Sequence, residues 1–586
     1  MATPAVDEKA KPGTSGTAAH AEYGPSYTDA MARIEAAAKA SDEESKLSRK
    51  ELFMRYRPAV FYSALLSLAL VMEGMDVGLV NNFFGQDAYL QRFGWPDAEG
   101  KQHISSTWQA AIGNGNNLGS IIGLLLNGYL QSRFGSRRVY MFAMCLMGCF
   151  IFMLFFAQNI QMLLAANILC GIPWGIFQTN TTAYAAEITP AALRGYLTAW
   201  VSMCWGSGSF LAAGILYGSL QLPGDAAWRV PYGLQWVWIP PLLIVGYFAP
   251  ESPWYLIRRG KIDEAEKNLR RLARKDHYTD EMMADTLALM KHTNEMERVE
   301  AANSSYRDCF RGSNMRRTLI VMMAWWVQIF NGQGITAYAT IFLRSVGMSE
   351  QMAFRYSMAI QSVNIVATGI AIVLMGKVGR RLFYLFGTAS IGTCMLIIGI
   401  MGFVATRKEV AVPVAAFMII TNLCFKLSLG PSCYTVVGEM SANRVRAQTI
   451  VIGRAIYVCG QIVSNQLNPR MLNDTGDAWN WGPRAGIFYF GFDVLWFAWT
   501  WFFLPETKNR SFADIDYLFQ SKTPARKFTT AAVDCKFCIP YSKYTLGPVT
   551  DMTGIVFEIT GAERNDKLAD NDTTENTASD RPQEKR

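Results

Sequence analysis

The chain has 586 residues and a net charge of +8, with 51% apolar and only 17% charged residues. A soluble protein carries about 25% charged residues, and here the polar residues concentrate in 1–50, 520–586 and most of 257–317. What remains is a series of apolar runs, which excludes a string of soluble domains and implies a polytopic membrane protein.

The first 50 residues are rich in Ala, Glu, Lys and Ser and lack the apolar core of a signal peptide. A membrane helix needs about 20 mostly apolar residues. Runs of that kind lie near 59–80, 107–130, 139–157, 161–186, 196–218 and 231–249. They resume near 318–342, 354–375, 383–405, 411–437, 449–472 and 483–504. The expectation is an all-α protein of twelve transmembrane helices in two six-helix halves, 58–256 and 318–519. Disordered tails are expected at 1–57 and 520–586, and a middle loop with short helices at 257–317.

Lys and Arg counts orient such a bundle. The middle loop holds 14, including Arg258, Arg259, Arg270 and Arg271, whereas all loops of the opposite face together hold 9. Both termini, the middle loop and the turns at Arg133–Arg138 and Lys377–Arg381 are therefore expected in the cytoplasm. The four histidines and Cys535-x-x-Cys538 lie outside the apolar runs, which leaves no intramembrane His relay or metal site. No cofactor is expected. The positive charge reads as topology rather than as nucleic-acid binding, and no nucleophile–base constellation or phosphate loop suggests an enzyme.

The halves repeat each other. Gly135-Ser-Arg-Arg138 matches Gly379-Arg-Arg381, Glu187 with Arg194 matches Glu439 with Arg446, and Pro250-Glu-Ser252 matches Pro505-Glu-Thr507. The offsets fall between 244 and 255 residues. Such parallel repeats are expected of a transporter whose site lies between its halves. Deep charges are functional candidates, and Glu73 and Asp76 stand three apart in the first run, with Arg454 in the eleventh as counter-charge. Proton exchange is one role for the carboxylates, a satisfied interior pair the other, and for Arg454 a helix-packing salt bridge competes. Lys426 is a further deep charge, in the tenth run, with Glu73, Asp76 or Asp493 as possible partners.

Pro250-Glu-Ser-Pro-Trp-Tyr-Leu256, Pro505-Glu-Thr-Lys508, the two basic turns and the two Glu…Arg pairs resemble the sugar porter family of the major facilitator superfamily. Cys170-Gly-Ile-Pro-Trp-Gly175, Tyr184-Ala-Ala-Glu187 and Ala478-Trp-Asn-Trp-Gly482 resemble its fungal maltose/α-glucoside permease group. The resemblance implies the major facilitator fold and proton-coupled sugar uptake by alternating access, with protons and a small-molecule sugar as partners. A monomer in the plasma membrane is expected.

By that resemblance, Glu73, Asp76 and Arg454 couple protons. Gln328, Asn331, Gln333, Tyr338, Tyr434 and Ser209 stand at or near substrate-binding positions. Glu187, Arg194, Glu439 and Arg446, with Arg137, Arg138, Arg380 and Arg381, form the cytoplasmic gate that latches the outward-facing state. The alternative for the Gln and Asn residues is interhelical hydrogen bonding. Several positions depart from the family: Asn167 replaces an Arg, Ser120 and Ser132 replace acids, and Gly334 replaces an Asn. These departures and Lys426 leave two rivals: a carrier of another organic metabolite, imported or exported, and a non-transporting sugar sensor.

Overall fold

The computed structural model describes residues 47–531, apart from 97–99, 101, 275–276, 303–304, 376, 405–406, 443–444, 474–477, 509 and 511, together with most of 32–40. All twelve expected spans are helical. The first is Arg57–Phe83, with a kink near Ser67, followed by Ser106–Phe134, Ser136–Phe155, Ile160–Ile188 and Ala191–Ser219. Span 6 comes in three pieces, Ala226–Gly233, Leu234–Trp238 and Ile239–Phe248, because Pro231, Pro240 and Pro241 each remove a helix donor.

The second half repeats the pattern. Span 7 is Gly312–Val327, Gln333–Ala337 and Ala339–Ser345, and span 8 is Glu350–Met375. Spans 9, 11 and 12 are Arg380–Val404, Arg446–Leu472 and Ala485–Phe503. Span 10 splits into Arg407–Leu427 and Leu429–Met440, since Pro431 cannot donate back to the carbonyl of Leu427.

Six helices among the described residues are long and apolar enough to cross a membrane on composition alone: spans 1, 3, 4, 9, 10 and 12. The others are broken or carry polar residues that pack inward. Span 2 shows why. Its Gly119 and Gly123 lie against span 4 so closely that a Cβ would meet Ile168 O at 2.0 Å and Ile172 O at 2.1 Å. In return, a Cβ on Gly171 or Gly175 would sit 2.4 Å from Asn116 O or 2.2 Å from Ser120 O. Small residues on both helices let the backbones touch, the usual means of association between helices in lipid.

Residues 37–531 form one unit. The middle loop folds as Pro253–Arg258, Ile262–Leu272 and Asp280–Ala302, whose Ala265, Met283, Leu287 and Met290 close over Leu256 and Ile257. Packed chain also reaches into both expected tails. Arg49–Arg55 is helical, and Phe528 stacks edge-on against Phe519 at 5.1 Å. The tail beyond 531 lies outside the described residues.

Candidate functional site

After its kink, span 1 is buried almost all round, Glu73 being 5% and Asp76 0% exposed. Asp76 is held within its own half: Trp174 Nε1 of span 4 donates to Oδ2 and Gln235 Nε2 of span 6 to Oδ1, both at 2.9 Å. Glu73 is held differently. Gln178 Nε2 donates to its Oε1 at 2.5 Å, and Arg454 Nη2 donates to Gln178 Oε1 at 3.0 Å. A carboxylate only accepts and a guanidinium only donates, so this is the one amide orientation that serves both. The second carboxylate oxygen, Glu73 Oε2, has no partner among the described residues.

Glu73 and Arg454, expected as counter-charges, are thus joined through Gln178 across the two halves. Arg454 also lies over the rings of Tyr457 (4.7 Å) and Trp325 (5.1 Å), and Trp325 meets Tyr434 edge-on at 5.1 Å. Tyr434 is 43% exposed, which leaves an aromatic face open beside the charge bridge. Trp174, Gln178 and Gln235 were not anticipated from the sequence. One signal was present: Gln178 stands one turn after Trp174, on the same face of a helix.

In span 7, Gly332 takes the left-handed φ of +83° that breaks the helix. The break gathers three expected residues. Gln328 Nε2 donates to Leu429 O (2.9 Å) and Gly430 O (3.3 Å) in the broken part of span 10. Asn331 Oδ1 accepts from Gln333 N, and Gln333 Nε2 donates to Asn422 Oδ1 at 3.3 Å. Asn422 in turn donates to Asn364 Oδ1 at 2.7 Å. Among the described residues, one buried donor, Asn331 Nδ2, and one buried acceptor, Gln333 Oε1, stay unpartnered, the complement of a hydroxyl group.

Other expected residues are placed elsewhere. Ser209 Oγ donates to Trp205 O and Gly74 O, binding span 5 to span 1. Tyr338 is buried, its hydroxyl facing Gly113 of span 2. At Gly334 a Cβ would run into the Asn468 amide of span 11, which is itself engaged with Ser464 Oγ and the Tyr489 hydroxyl, so a side chain has no room there. Lys426, one turn after Asn422, sits 5.7 Å from the Phe425 ring centroid. Among the described residues it forms no ion pair with Glu73, Asp76 or Asp493, and both Asp493 oxygens are unpartnered.

The two ends of the bundle differ. On the basic face, Glu187 pairs with Arg258 and Glu439 with Arg380, each at 2.8 Å and each within its own half. The Arg194 side chain lies outside the described residues, and Arg446 Nη2 donates to Gly438 O at 2.7 Å. The repeated Pro-Glu motifs do matching work. Glu251 accepts from Arg137 N (3.2 Å) at the start of span 3, and Glu506 from Arg380 N (2.9 Å) at the start of span 9. Anionic groups are favoured at helix N-termini. Burial raises the Glu251 carboxyl above its usual range, and bonds from the backbone of Ser252, Arg137 and Ser136 work against that rise.

On the far face, the halves are tied together. Asn82 Oδ1 accepts from Thr340 and from Ser357 Oγ (3.1 Å). Arg344 pairs with Asp87 at 2.7 Å and donates to Gly85 O at 2.5 Å. Asp87 N donates to Glu350 Oε1 (2.9 Å), and Arg355 Nε to Tyr217 OH (2.9 Å).

Duplicated halves, a charge bridge between them and ties on one face define a two-half membrane carrier. The sequence profile of the sugar (and other) transporter family matches residues 62–519, and the chain belongs to that family. It is a multi-pass membrane transporter and not an enzyme. It is 34% identical to the general alpha-glucoside permease of Saccharomyces cerevisiae, over 84% of this chain and 80% of that one. To the maltose permease MAL31 of the same yeast it is 33% identical, over 88% and 86%. The inward-open xylose transporter XylE of E. coli superposes with a TM-score of 0.64 at 20% identity, over 78% of this chain and 99% of that one, which shows the shared major facilitator fold. The proton:xylose symporter XylE bound to 6-bromo-6-deoxy-D-glucose gives 0.60, also at 20% identity, over 79% and 100%.

Proposed function

We propose that this protein imports a sugar, an α-glucoside such as maltose, together with protons, by alternating access in the plasma membrane with its basic face in the cytosol. The observation that carries the proposal is the Glu73–Gln178–Arg454 bridge. Glu73 keeps one oxygen free for a proton. Protonation removes the charge that Gln178 serves, which weakens the link to Arg454 in the other half. Asp76 supports the same helix as a second buried carboxylate. The amides Gln328, Asn331 and Gln333 and the open face of Tyr434 supply hydroxyl partners and an apolar platform for a sugar ring.

The halves 58–256 and 318–519 are the moving bodies in this reading. With the far face tied and the ion pairs of the basic face kept within their halves, the conformation is inward-facing. Glu187, Glu439 and their Arg partners re-pair between the halves when the carrier turns outward, the latch expected of these residues. The names of the yeast permeases support the α-glucoside class, and that of the XylE symporter supports the proton. The test is uptake of labelled maltose and glucose by a transporter-null cell at two external pH values. Uptake of neither sugar, or uptake indifferent to pH, would overturn the reading.

Lys426, which has no ion pair among the described residues, favours a second reading, a carrier of an organic acid. The same assay with labelled acids separates the two.

A further inference from the structure

Between the start of span 3 and the helix Ile262–Leu272 lies a groove of about 690 Å³ on the basic face. Seven Lys or Arg side chains line it against two carboxylates. The cations are left largely uncompensated. Arg133 donates to Tyr129 OH (2.7 Å), Arg271 to Phe248 O (3.1 Å), Arg137 to Tyr247 O and Arg259 to Arg133 O. All four acceptors are neutral. Of the carboxylates, Glu251 is spent on backbone N–H groups and Glu264 pairs with Lys261 at 2.7 Å. Arg138 and Lys267 have no partner among the described residues. The aromatic side chains beside the groove, Phe134, Tyr247 and Phe248, are exposed at the ends of spans 2 and 6.

We infer that this groove binds a phosphate-bearing polyanion, the phosphorylated headgroup of an anionic lipid. Guanidinium forks suit phosphate oxygens bidentately, and basic pockets beside membrane helices bind such headgroups. The exposed aromatics mark where acyl chains would continue into the bilayer. Because the groove joins the middle loop to the start of span 3, an occupant would brace Ile262–Leu272 against the first half. The inference does not depend on which solute is carried.

The test uses the full-length protein in detergent, titrated with phosphatidylinositol 4,5-bisphosphate, phosphatidylserine or phosphatidylcholine and read by native mass spectrometry. Soluble inositol 1,4,5-trisphosphate serves as competitor. The bisphosphate lipid should bind at least tenfold more tightly than phosphatidylcholine. Arg138→Gln with Lys267→Gln should weaken it roughly tenfold or more, given the attraction of each basic side chain for an anionic headgroup. Lys291→Gln, on an exposed position away from the groove, should not. Lys267→Gln alone, a partnerless exposed side chain outside the gate set, serves as a second variant that keeps folding and gating apart from binding. Competition by the soluble trisphosphate at similar concentration would support the phosphate site and name a free polyphosphate as its occupant. Failure to compete would support the site and name the lipid. Equal binding of phosphatidylcholine and the bisphosphate lipid would overturn the inference, as would undiminished binding by both variants at an unchanged thermal midpoint.

Discussion

Arg344→Gln should open the far face. In the conformation proposed above to be inward-facing, Arg344 reaches from span 7 to the end of span 1, pairing with Asp87 and donating to Gly85 O. The ion pair is half in water, its side chains 19% and 51% exposed, so it contributes about 0.5 kcal/mol. The guanidinium–carbonyl bond is charge-assisted and contributes about 1.5 kcal/mol. Neither survives when the halves part on this side. The variant therefore loses about 2 kcal/mol from the inward-facing state alone, a shift of roughly 30-fold toward outward-facing states.

The assay is labelling of a cysteine at Ala353, which is fully buried near the far-face end of span 8 and takes no part in the ties, by an impermeant maleimide added outside. The background should lack the exposed Cys145, Cys149 and Cys459. Labelling should accelerate in Arg344→Gln and stay nearer the parent rate in Arg344→Lys, whose ammonium can still serve Asp87 and the Gly85 carbonyl. An unchanged rate in a well-expressed Arg344→Gln protein would refute the idea that these contacts hold the far side shut.

Glu73→Gln should abolish accumulation against a gradient while sparing exchange, since the amide imitates the protonated carboxyl; concentrative uptake at the parent rate would refute a coupling role. Asp76→Asn should also end accumulation, with expression reduced because an acceptor facing Trp174 or Gln235 is lost, and normal pumping would count against it. Gln178→Leu removes both links of the inter-half bridge and should cost transport about tenfold, on the scale of one to two kcal/mol for two such bonds; a wild-type rate would show the bridge to be incidental.

The helices were legible in the sequence because lipid imposes length and apolarity, and the duplication showed through short motifs recurring in order at offsets of 244 to 255 residues. Glu73, Asp76 and Arg454 were legible because a charge in an apolar run stands out. Their partners were not. Trp174 was visible only as part of a family-like stretch with no role attached, Gln178 read as an ordinary member of an apolar span, and Gln235 sits in a segment broken by prolines whose register the pattern does not give. The far-face ties were also hidden. Asn82 and Thr340 are 258 residues apart, and contacts of that range follow from packing rather than local pattern. The Pro-Glu motifs were visible as a repeat, but only the fold shows each glutamate meeting the start of a helix.

Lys426 separates the neutral-sugar reading from the acid reading. Its ammonium has a nearby aromatic ring and no carboxylate partner among the described residues. A ring contributes about 0.5–2 kcal/mol to a cation, whereas taking an ammonium out of water costs several. The charge is therefore costly in the empty protein, and the two readings differ on what relieves it. If the substrate is a neutral sugar, Lys426 is a burden on the empty protein, so Lys426→Met should raise the thermal midpoint and keep the shift produced by maltose. If the substrate is an acid, its carboxylate supplies the missing charge, and Lys426→Met should lose the shift produced by that acid. A ligand at about 100 times its Kd adds about 2.7 kcal/mol to stability, enough to read as a change in midpoint. The sugar reading fails if only acids stabilise the parent protein and Lys426→Met removes their effect. It also fails if maltose leaves the midpoint of both proteins unmoved.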